Sequence, residues 1–309
     1  MNVLSRVLLA AFALPAAASA SAPCTLIDSL PALVDKPGSY CLGADHAITS
    51  LPSGNIAIDI RSNGVTLDCR GHALHGDDAQ PGVLKGRAIV ASNANNLTIR
   101  NCTVRDVPGG IQVETRGLVF FPPTGVRIED NQVIGASMGI YADGAVVRGN
   151  LVKDVRVKSY GILARGNVDI IDNTVDGVTH DSRPVTGILI LETAGSLVEN
   201  NRVRNLVSPF GGVGIHTSSF EGVTALAIRN NILVHGGGTK GTAIHCRPGG
   251  NASGEVAERN LWFGFGQGIV NCVDGGGNRT SASPPPRQVD GEASKRGPAA
   301  HAGKRGAVR

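Results

Sequence analysis

Apolar and polar residues alternate in short segments that recur through most of the chain. Examples are "GVRIEDNQV" (125–133), "NVDIIDNTV" (167–175) and "GSLVENNRV" (195–203). In each segment, apolar residues at every second position are followed by Asn, one variable residue and another apolar residue. This period of two is typical of a β-strand with one buried face. The recurring Asn positions are Asn131, Asn150, Asn173, Asn201, Asn231 and Asn260, with Cys102 in the equivalent place.

A second motif, Gly-Ile or Ala-Ile, recurs between these Asn positions. It occurs at Gly110-Ile111, Gly139-Ile140, Gly161-Ile162, Gly187-Ile188, Gly214-Ile215, Ala243-Ile244 and Gly268-Ile269. It also begins an alternating stretch, so each period carries one strand after Gly-Ile, one before Asn and a short one after it. Because both motifs repeat through most of the chain, they indicate a stacked, solenoid-like architecture.

The repeat predicts an all-β fold, a parallel β-helix of about eight coils. Leucine-rich repeats are the competing interpretation, since they also combine alternating apolar residues with an Asn ladder. The apolar set here is mostly Val and Ile, and a second strand motif replaces the expected helical stripe, which favours the β-helix. We expect Asn at the corner for two reasons. It tolerates the left-handed backbone conformation, and its amide donates and accepts along a stack.

Residues 24–277 resemble the right-handed parallel β-helix repeat proteins of the pectin-lyase-like superfamily. The resemblance includes "GSYCLGADHAI" (38–48), "NGVTLDCRGHALHG" (63–76) and "GIVNCVDGGGN" (268–278). It implies a single-stranded, right-handed solenoid with an N-terminal cap over the first coil. The diagnostic elements of polygalacturonases, alginate epimerases and pectate lyases are missing from the sequence, so the resemblance transfers no particular activity.

The termini differ from the body. Residues 1–20 read as a signal peptide, with Arg6, an apolar stretch at 7–14 and the small-residue site Ala18-Ser19-Ala20. We therefore expect a secreted or periplasmic protein without a membrane span. Residues 21–62 would form the cap and first coil, 63–277 the parallel β-helix, and 278–309 a disordered basic tail. That tail holds seven basic and two acidic residues, whereas the body has a small negative charge, so no nucleic-acid partner is expected.

All six cysteines follow the predicted signal peptide, and an even number in an exported chain indicates disulfides. Cys24–Cys41 and Cys246–Cys272 are the favoured pairs. For Cys69 and Cys102, a disulfide and a pair of packed thiols remain equally open. The sequence has no zinc-type Cys/His spacing, and we expect neither a metal nor another cofactor.

Period-two geometry predicts which side chains of the Gly-Ile strands face outward. One outward column is Gln112, Tyr141, Leu163, Leu189, His216, His245 and Val270, and its neighbour is Glu114, Asp143, Arg165, Leu191, Ser218, Arg247 and Cys272. In the superfamily that the chain resembles, substrates lie along this outer face.

Elimination or epimerisation of an acidic sugar needs a cation, a base and a proton donor. His216, His245, Tyr141, Arg165 and Arg247 are the candidate catalytic residues, and Gln112, Glu114 and Asp143 the candidate substrate-binding residues. Glu114 and Asp143 on adjacent coils also suggest a retaining glycosidase pair. The plain alternative is that the two histidines merely occupy polar surface positions.

We therefore expect an exported, monomeric β-helix protein that binds an acidic polysaccharide. Whether it is an enzyme is left open; if so, a lyase or epimerase is favoured over a glycoside hydrolase. The alternative function is a non-catalytic envelope or cell-surface scaffold.

Overall fold

The computed structural model describes residues 23–48, 55–76, 86–115, 122–191, 195–218, 226–236, 240–247 and 254–281. Throughout these ranges the regular elements are short β-strands, and no helix occurs among them. The predicted signal peptide lies outside the described residues, as does the predicted tail beyond residue 281.

The strands form three parallel sheets. Sheet 1 contains β1 (Thr25–Ile27), β3 (Gly38–Leu42), β6 (Val65–Asp68), β9 (Thr98–Arg100), β12 (Val126–Glu129), β15 (Ala145–Arg148), β18 (Asp169–Ile171), β21 (Ser196–Glu199), β24 (Leu226–Arg229), β27 (Glu255–Glu258) and β30 (Val273–Gly276). Sheet 2 contains β2 (Ala32–Val34), β5 (Asn55–Ile60), β8 (Gly86–Ser92), β11 (Gly109–Glu114), β14 (Met138–Asp143), β17 (Tyr160–Arg165), β20 (Val185–Leu191), β23 (Gly212–Ser218), β26 (Gly241–Arg247) and β29 (Gln267–Val270). Sheet 3 contains β4 (His46–Ala47), β7 (Ala73–His75), β10 (Thr103–Arg105), β13 (Gln132–Ile134), β16 (Leu151–Arg156), β19 (Thr174–Thr179), β22 (Arg202–Val207), β25 (Ile232–His235), β28 (Leu261–Phe263) and β31 (Arg279–Thr280).

Each turn of the chain adds one strand to every sheet, since neighbours within a sheet are mostly three strands apart in sequence. The prediction of a right-handed parallel β-helix is confirmed. The sheets hold 11, 10 and 10 strands, so the number of coils differs slightly from the eight expected. Short strands at both ends account for the difference, and the last one, β31, lies just beyond the predicted boundary at residue 277.

The core consists of columns of identical or similar side chains, one per coil. The isoleucines of the Gly-Ile motif form such a column, all fully buried: Ile111, Ile140, Ile162, Ile188, Ile215 and Ile244. Parallel pairing places each one beside its counterpart on the next coil, as in Ile140 and Ile162. Adjacent coils lie about 4.8 Å apart, so these side chains are in continuous contact and exclude water.

At four copies of the Gly-Ile motif, the close approach of sheets 2 and 3 requires the glycine. A Cβ atom at Gly139 would overlap the carbonyl oxygen of Gly161 and the Cγ1 atom of Val152. The same conflict with a valine of sheet 3 occurs at Gly110, Gly161 and Gly187. Packing between sheets 2 and 3 therefore explains the glycine of the motif.

The recurring Asn residues form a buried ladder of hydrogen bonds. The Nδ2 group of Asn150 donates to Oδ1 of Asn173 at 3.0 Å and to the carbonyl oxygen of Ile128 at 2.8 Å. The backbone N–H of Asn150 also donates to that Oδ1 atom, at 3.0 Å. The ladder continues through each later Asn of the series and ends at Asn278. The expectation that the Asn amides donate and accept along a stack is therefore confirmed.

The other expectation for the Asn residues was wrong. The left-handed conformation belongs to the residue before each ladder Asn, for example Asp130 (φ 55°), Asp172 (φ 58°) and Asn200 (φ 57°). That residue makes the bend and faces solvent, which leaves the following Asn in place to turn its amide inward. The bend and the inward-facing amide, which we had expected of one residue, are thus provided by two adjacent residues.

The structure pairs Cys24 with Cys41 and Cys246 with Cys272, the two pairs that the sequence favoured. Cys69 and Cys102 also form a disulfide, so the packed-thiol alternative is not realised. Cys102 occupies the ladder position ahead of the first Asn, and its backbone N–H donates to Oδ1 of Asn131 at 3.0 Å.

Charged residues on the outer face of sheet 1 alternate in sign from coil to coil. Strand pairing places Asp68, Arg100, Glu129 and Arg148 in one column, and Glu199, Arg229 and Glu258 follow in the same column after Ile171. Ion pairs join Arg100 to Asp68 and Arg229 to Glu199, each at 2.9 Å. The like-above-like rule of the core therefore does not extend to charged surface columns, because like charges at this spacing repel.

Candidate functional site

The outer face of sheet 2 has the side-chain order that the sequence predicted. Strand register aligns Gln112, Tyr141, Leu163, Leu189, His216, His245 and Val270, which we call the central column. Tyr141, Leu163, His216 and His245 are half-buried, whereas the isoleucines that precede them in the chain are fully buried. These four side chains therefore face outward.

The neighbouring column contains Asp143, Arg165, Leu191, Ser218 and Arg247. Strand β26 places Arg247 beside Ser218, but the side chain of Arg247 lies outside the described residues. Cys272 does not continue this column, because its sulfur is bonded to the fully buried Cys246.

Asp143 is buried, contrary to its expected role in contacting a substrate. Only 1% of the residue is exposed. Its Oδ1 and Oδ2 atoms accept hydrogen bonds from Nε and Nη2 of Arg165 at 3.1 and 2.8 Å, and Oδ2 also accepts one from the N–H of Thr115 at 2.7 Å. The alternation had correctly placed Asp143 on the outer side of the strand, but these neighbours cover it. Asp143 therefore positions Arg165.

Arg165 and Tyr141 form a cation–π pair. The Cζ atom of Arg165 lies 5.9 Å from the centre of the Tyr141 ring, within the range of such interactions. Burial raises the pKa of the Tyr141 phenol, and the nearby carboxylate of Asp143 raises it further. The phenol is therefore protonated at neutral pH and can donate a hydrogen bond.

Gln112 and Glu114 are held by a residue that the sequence analysis missed, Arg87. Its Nη1 group donates to Oε1 of Gln112 and to Oε2 of Glu114, each at 3.2 Å. Gly109 makes room for this contact, because a Cβ atom there would collide with the Arg87 side chain. Gln112 is consequently buried, at 6% exposure, and is not available to a substrate as we had expected.

Arg87 lies on β8, whose Ala88-Ile89 is one more copy of the Gly-Ile motif. Counting this variant in the sequence would have placed Arg87 beside Gly109. With Arg87 on Glu114 and Arg165 on Asp143, both carboxylates of the supposed glycosidase pair are held in ion pairs.

His216 and His245, which the sequence placed next to each other in the central column, stack on one another. Their ring centres are 5.0 Å apart and the ring planes differ by 8°. Between this pair and Tyr141 lie the coils of Leu163 and Leu189, so Tyr141 and His216 are three coils, or roughly 14 Å, apart. The candidate catalytic residues therefore form two groups separated by an apolar stretch.

Comparison with known proteins identifies the family. The family model described as "Periplasmic copper-binding protein (NosD)" matches residues 50–237. The chain belongs to the NosD family. The family is periplasmic, and the three disulfides of this NosD protein need an oxidising compartment, so the protein is extracytoplasmic, as expected. No curated protein matches the sequence. Among the described residues, no helix is long and apolar enough to cross a membrane.

Several solved β-helix structures are similar to this NosD protein. A double mutant of the periplasmic alginate epimerase AlgG has a TM-score of 0.55 and 14% identity, covering 81% of this chain and 64% of AlgG. A second AlgG mutant gives 0.51 and 15%, covering 75% and 57%. The Dettilon tailspike protein (gp208) gives 0.48 and 13%, covering 83% and 58%. This chain thus spans less than two thirds of each of these proteins, and identities this low show the shared fold alone.

The family name refers to copper, which proteins bind through imidazole and sulfur ligands. All six cysteines of this chain are in disulfides. Within the described ranges, no three His, Cys, Asp or Glu side chains come together as a metal site. The lone pairs of His216 and His245 lie in nearly parallel ring planes and do not converge on one ion. These residues do not fit a bound copper ion.

Proposed function

We propose that this NosD protein binds an acidic polysaccharide along the central column of sheet 2. The observation that carries the proposal is the arrangement of two half-buried polar groups on one line. Tyr141 with Arg165 lies at one end and the stacked pair His216 and His245 at the other. The line follows the solenoid axis, so an extended polymer can contact both groups at once.

The chemistry of the column suits an acidic sugar. Arg165, Tyr141 and the two histidines supply hydrogen-bond donors. Between them, half-buried Leu163 offers an apolar surface for the C–H face of a sugar ring. The described central column contains no carboxylate to repel an anionic chain. The similar fold of AlgG, an alginate epimerase by name, supports the idea that such a rod accommodates an acidic polymer.

Binding is favoured over cleavage or epimerisation at one centre. A base and a proton donor that act on one sugar must both lie within hydrogen-bond reach of it. Tyr141 and His216 are roughly 14 Å apart, which is too far for one ring to contact both. The two groups are better suited to hold different sugars of one chain.

The test is calorimetric titration of the purified protein with alginate, pectate and hyaluronate, with dextran as a neutral control. We expect binding to at least one acidic polymer, weakening as salt is added, because salt screens charges. His216→Ala and Arg165→Ala should each weaken it by about tenfold. Ultraviolet absorbance of the unsaturated product, followed in the same samples, detects lyase action. A folded protein that binds none of the three polymers contradicts the proposal.

One observation favours a second candidate, a non-catalytic envelope scaffold. The carboxylates of Glu114 and Asp143 are each neutralised by an arginine of the same face, which reduces the net charge offered to a ligand. This candidate predicts that cross-linking in the intact cell envelope captures a protein partner, while all three polymers fail to bind.

A further inference from the structure

Three consecutive coils carry loops that join sheet 3 to sheet 2. They contain residues 157–159, 180–184 and 208–211, after β16, β19 and β22. Strands β16 and β19 run up to Arg156 and Thr179, so the first two loops are short. Hydrogen bonds between coils fasten the loops to one another and to the next strand. The Oγ group of Ser208 donates to the Arg183 carbonyl at 2.6 Å, and the Thr186 N–H donates to the Ser159 carbonyl at 2.8 Å. We call residues 156–159, 179–184 and 207–211 the loop ridge.

The loop ridge exposes apolar side chains. Val157 is 64% exposed, Val207 47% and Phe210 62%. They are half of the six exposed large hydrophobic residues in the described chain, and all three lie within three consecutive coils, Val157 on the first and Val207 and Phe210 on the third. Clustered exposed apolar residues with a polar rim mark an interaction site more often than scattered ones do.

The loop ridge is also cationic. Arg156, Lys158 and Arg183 are exposed, and none makes an ion pair with another described residue. Asp181 is the one carboxylate of the ridge. Unpaired cations beside an exposed aromatic ring match a ligand that has both an apolar face and negative charge.

The backbone of Val157 is strained. Its φ angle is 84°, a left-handed conformation that is unfavourable for a β-branched residue. Its exposed side chain gains no core packing in return. Such strain is found most often where a structure holds a residue for binding.

The loop ridge borders the apolar part of the central column. Its three loops lead directly into β17, β20 and β23, the strands that carry Leu163, Leu189 and His216. The ridge therefore runs along the edge of the stretch that separates Tyr141 from the histidine pair.

We propose that the loop ridge is the side wall of the same polysaccharide site. Phe210 stacks on the C–H face of a sugar ring, and Lys158 and Arg183 pair with the carboxylates of the polymer. This inference rests on the proposed function, and it assigns the middle of the site to residues outside sheet 2. An acidic polysaccharide is favoured over a lipid surface, because a single aromatic ring and two valines are a small apolar area for membrane insertion.

The test compares ridge variants with matched controls elsewhere. Phe210→Ala is paired with Leu26→Ala, which removes an apolar side chain that is 52% exposed on β1 of sheet 1. The double variant Lys158→Ala/Arg183→Ala is paired with Lys36→Ala/Arg105→Ala, which removes two exposed cations away from the ridge. Each protein is titrated with the acidic polymer that wild type binds, at low and high salt, after its melting temperature has been shown to be unchanged.

Each ridge variant should bind about tenfold more weakly than its control. The double variant should also lose part of the salt dependence, since two charges are removed. Normal binding by both ridge variants, with weak binding by His216→Ala, overturns the side wall but leaves the proposed function standing. If wild type binds no acidic polymer, or binds anionic vesicles through the ridge instead, the side wall is wrong as well.

Discussion

Asp143 and Arg165 lie on adjacent coils of sheet 2 and are joined by two hydrogen bonds of 3.1 and 2.8 Å. The Asp143 carboxylate is buried, whereas 23% of the Arg165 side chain is exposed. The buried partner thus fixes the direction of the exposed one. The same guanidinium lies over the Tyr141 ring, so one ion pair orients two groups of the proposed site.

Substituting Arg165 should reduce stability more than substituting Asp143. Arg165→Ala leaves the buried carboxylate of Asp143 without its cation and should lower the free energy of unfolding by about 3 kcal/mol. Asp143→Asn keeps the shape and leaves the charge on the partly exposed residue, so it should cost about 1–2 kcal/mol. Chemical denaturation measures both values, and equal losses would contradict the assignment of Asp143 as the buried anchor.

Acid should destabilise the fold through His235. This side chain is buried, stacks on Phe265 at 5.1 Å between ring centres, and burial lowers its pKa below the ordinary 6.5. In the unfolded chain the imidazole takes up a proton near pH 6.5, whereas the folded state resists protonation. Its contribution to stability is thus complete above pH 6.5 and is lost as pH falls through the folded pKa.

Unfolding measurements at pH 7.5 and 5.5 check this pH dependence. His235→Phe keeps an aromatic ring against Phe265 and removes the titrating group, so it should lose less stability between the two pH values than wild type does. His180→Phe, which replaces a half-buried loop histidine away from Phe265, is the matched control. An equal loss in His235→Phe and wild type would contradict the assignment.

The Gly-Ile packing constraint predicts that Gly139→Ala is destabilising. The added methyl group would meet the Gly161 carbonyl and Val152, and overpacking of this kind costs about 1–3 kcal/mol. Gly236→Ala is the matched control, since its nearest neighbours would be at 3.4 Å or more. Thermal unfolding should separate the two variants clearly, and comparable melting temperatures would show that sheets 2 and 3 tolerate the methyl group.

The Asn ladder should be far more sensitive to substitution than the bend residues beside it. In Asn173→Ala, the Val147 carbonyl and the Asn150 backbone N–H lose buried partners that are now at 2.8 and 3.0 Å. We expect a loss of about 3 kcal/mol. Asn200→Gly at the neighbouring exposed bend keeps the left-handed conformation and should change stability by less than about 0.5 kcal/mol. Urea unfolding measures the free energy of unfolding of both variants, and similar losses would contradict this prediction.

The fold and the order of side chains on sheet 2 followed from sequence, because a period of two gives the direction of every side chain. The stacking of His216 and His245 is the clearest example. Periodicity does not reveal which outward residues are covered. The burial of Asp143 depends on the rotamer of Arg165 and on the backbone of Thr115. The alternation of apolar and polar residues predicts neither of them. Arg87 was missed because the motif was followed only from Gly110-Ile111 onward, one coil after Ala88-Ile89.

The alternating charges of sheet 1 limit how a solenoid of this kind changes length. Deleting the single coil that carries Arg100 would bring Asp68 against Glu129, two carboxylates at one strand spacing. Deleting two successive coils, those of Arg100 and Glu129, would instead seat Arg148 on Asp68 and restore an attractive contact. Growth and shortening of this part of the rod are therefore favoured in pairs of coils.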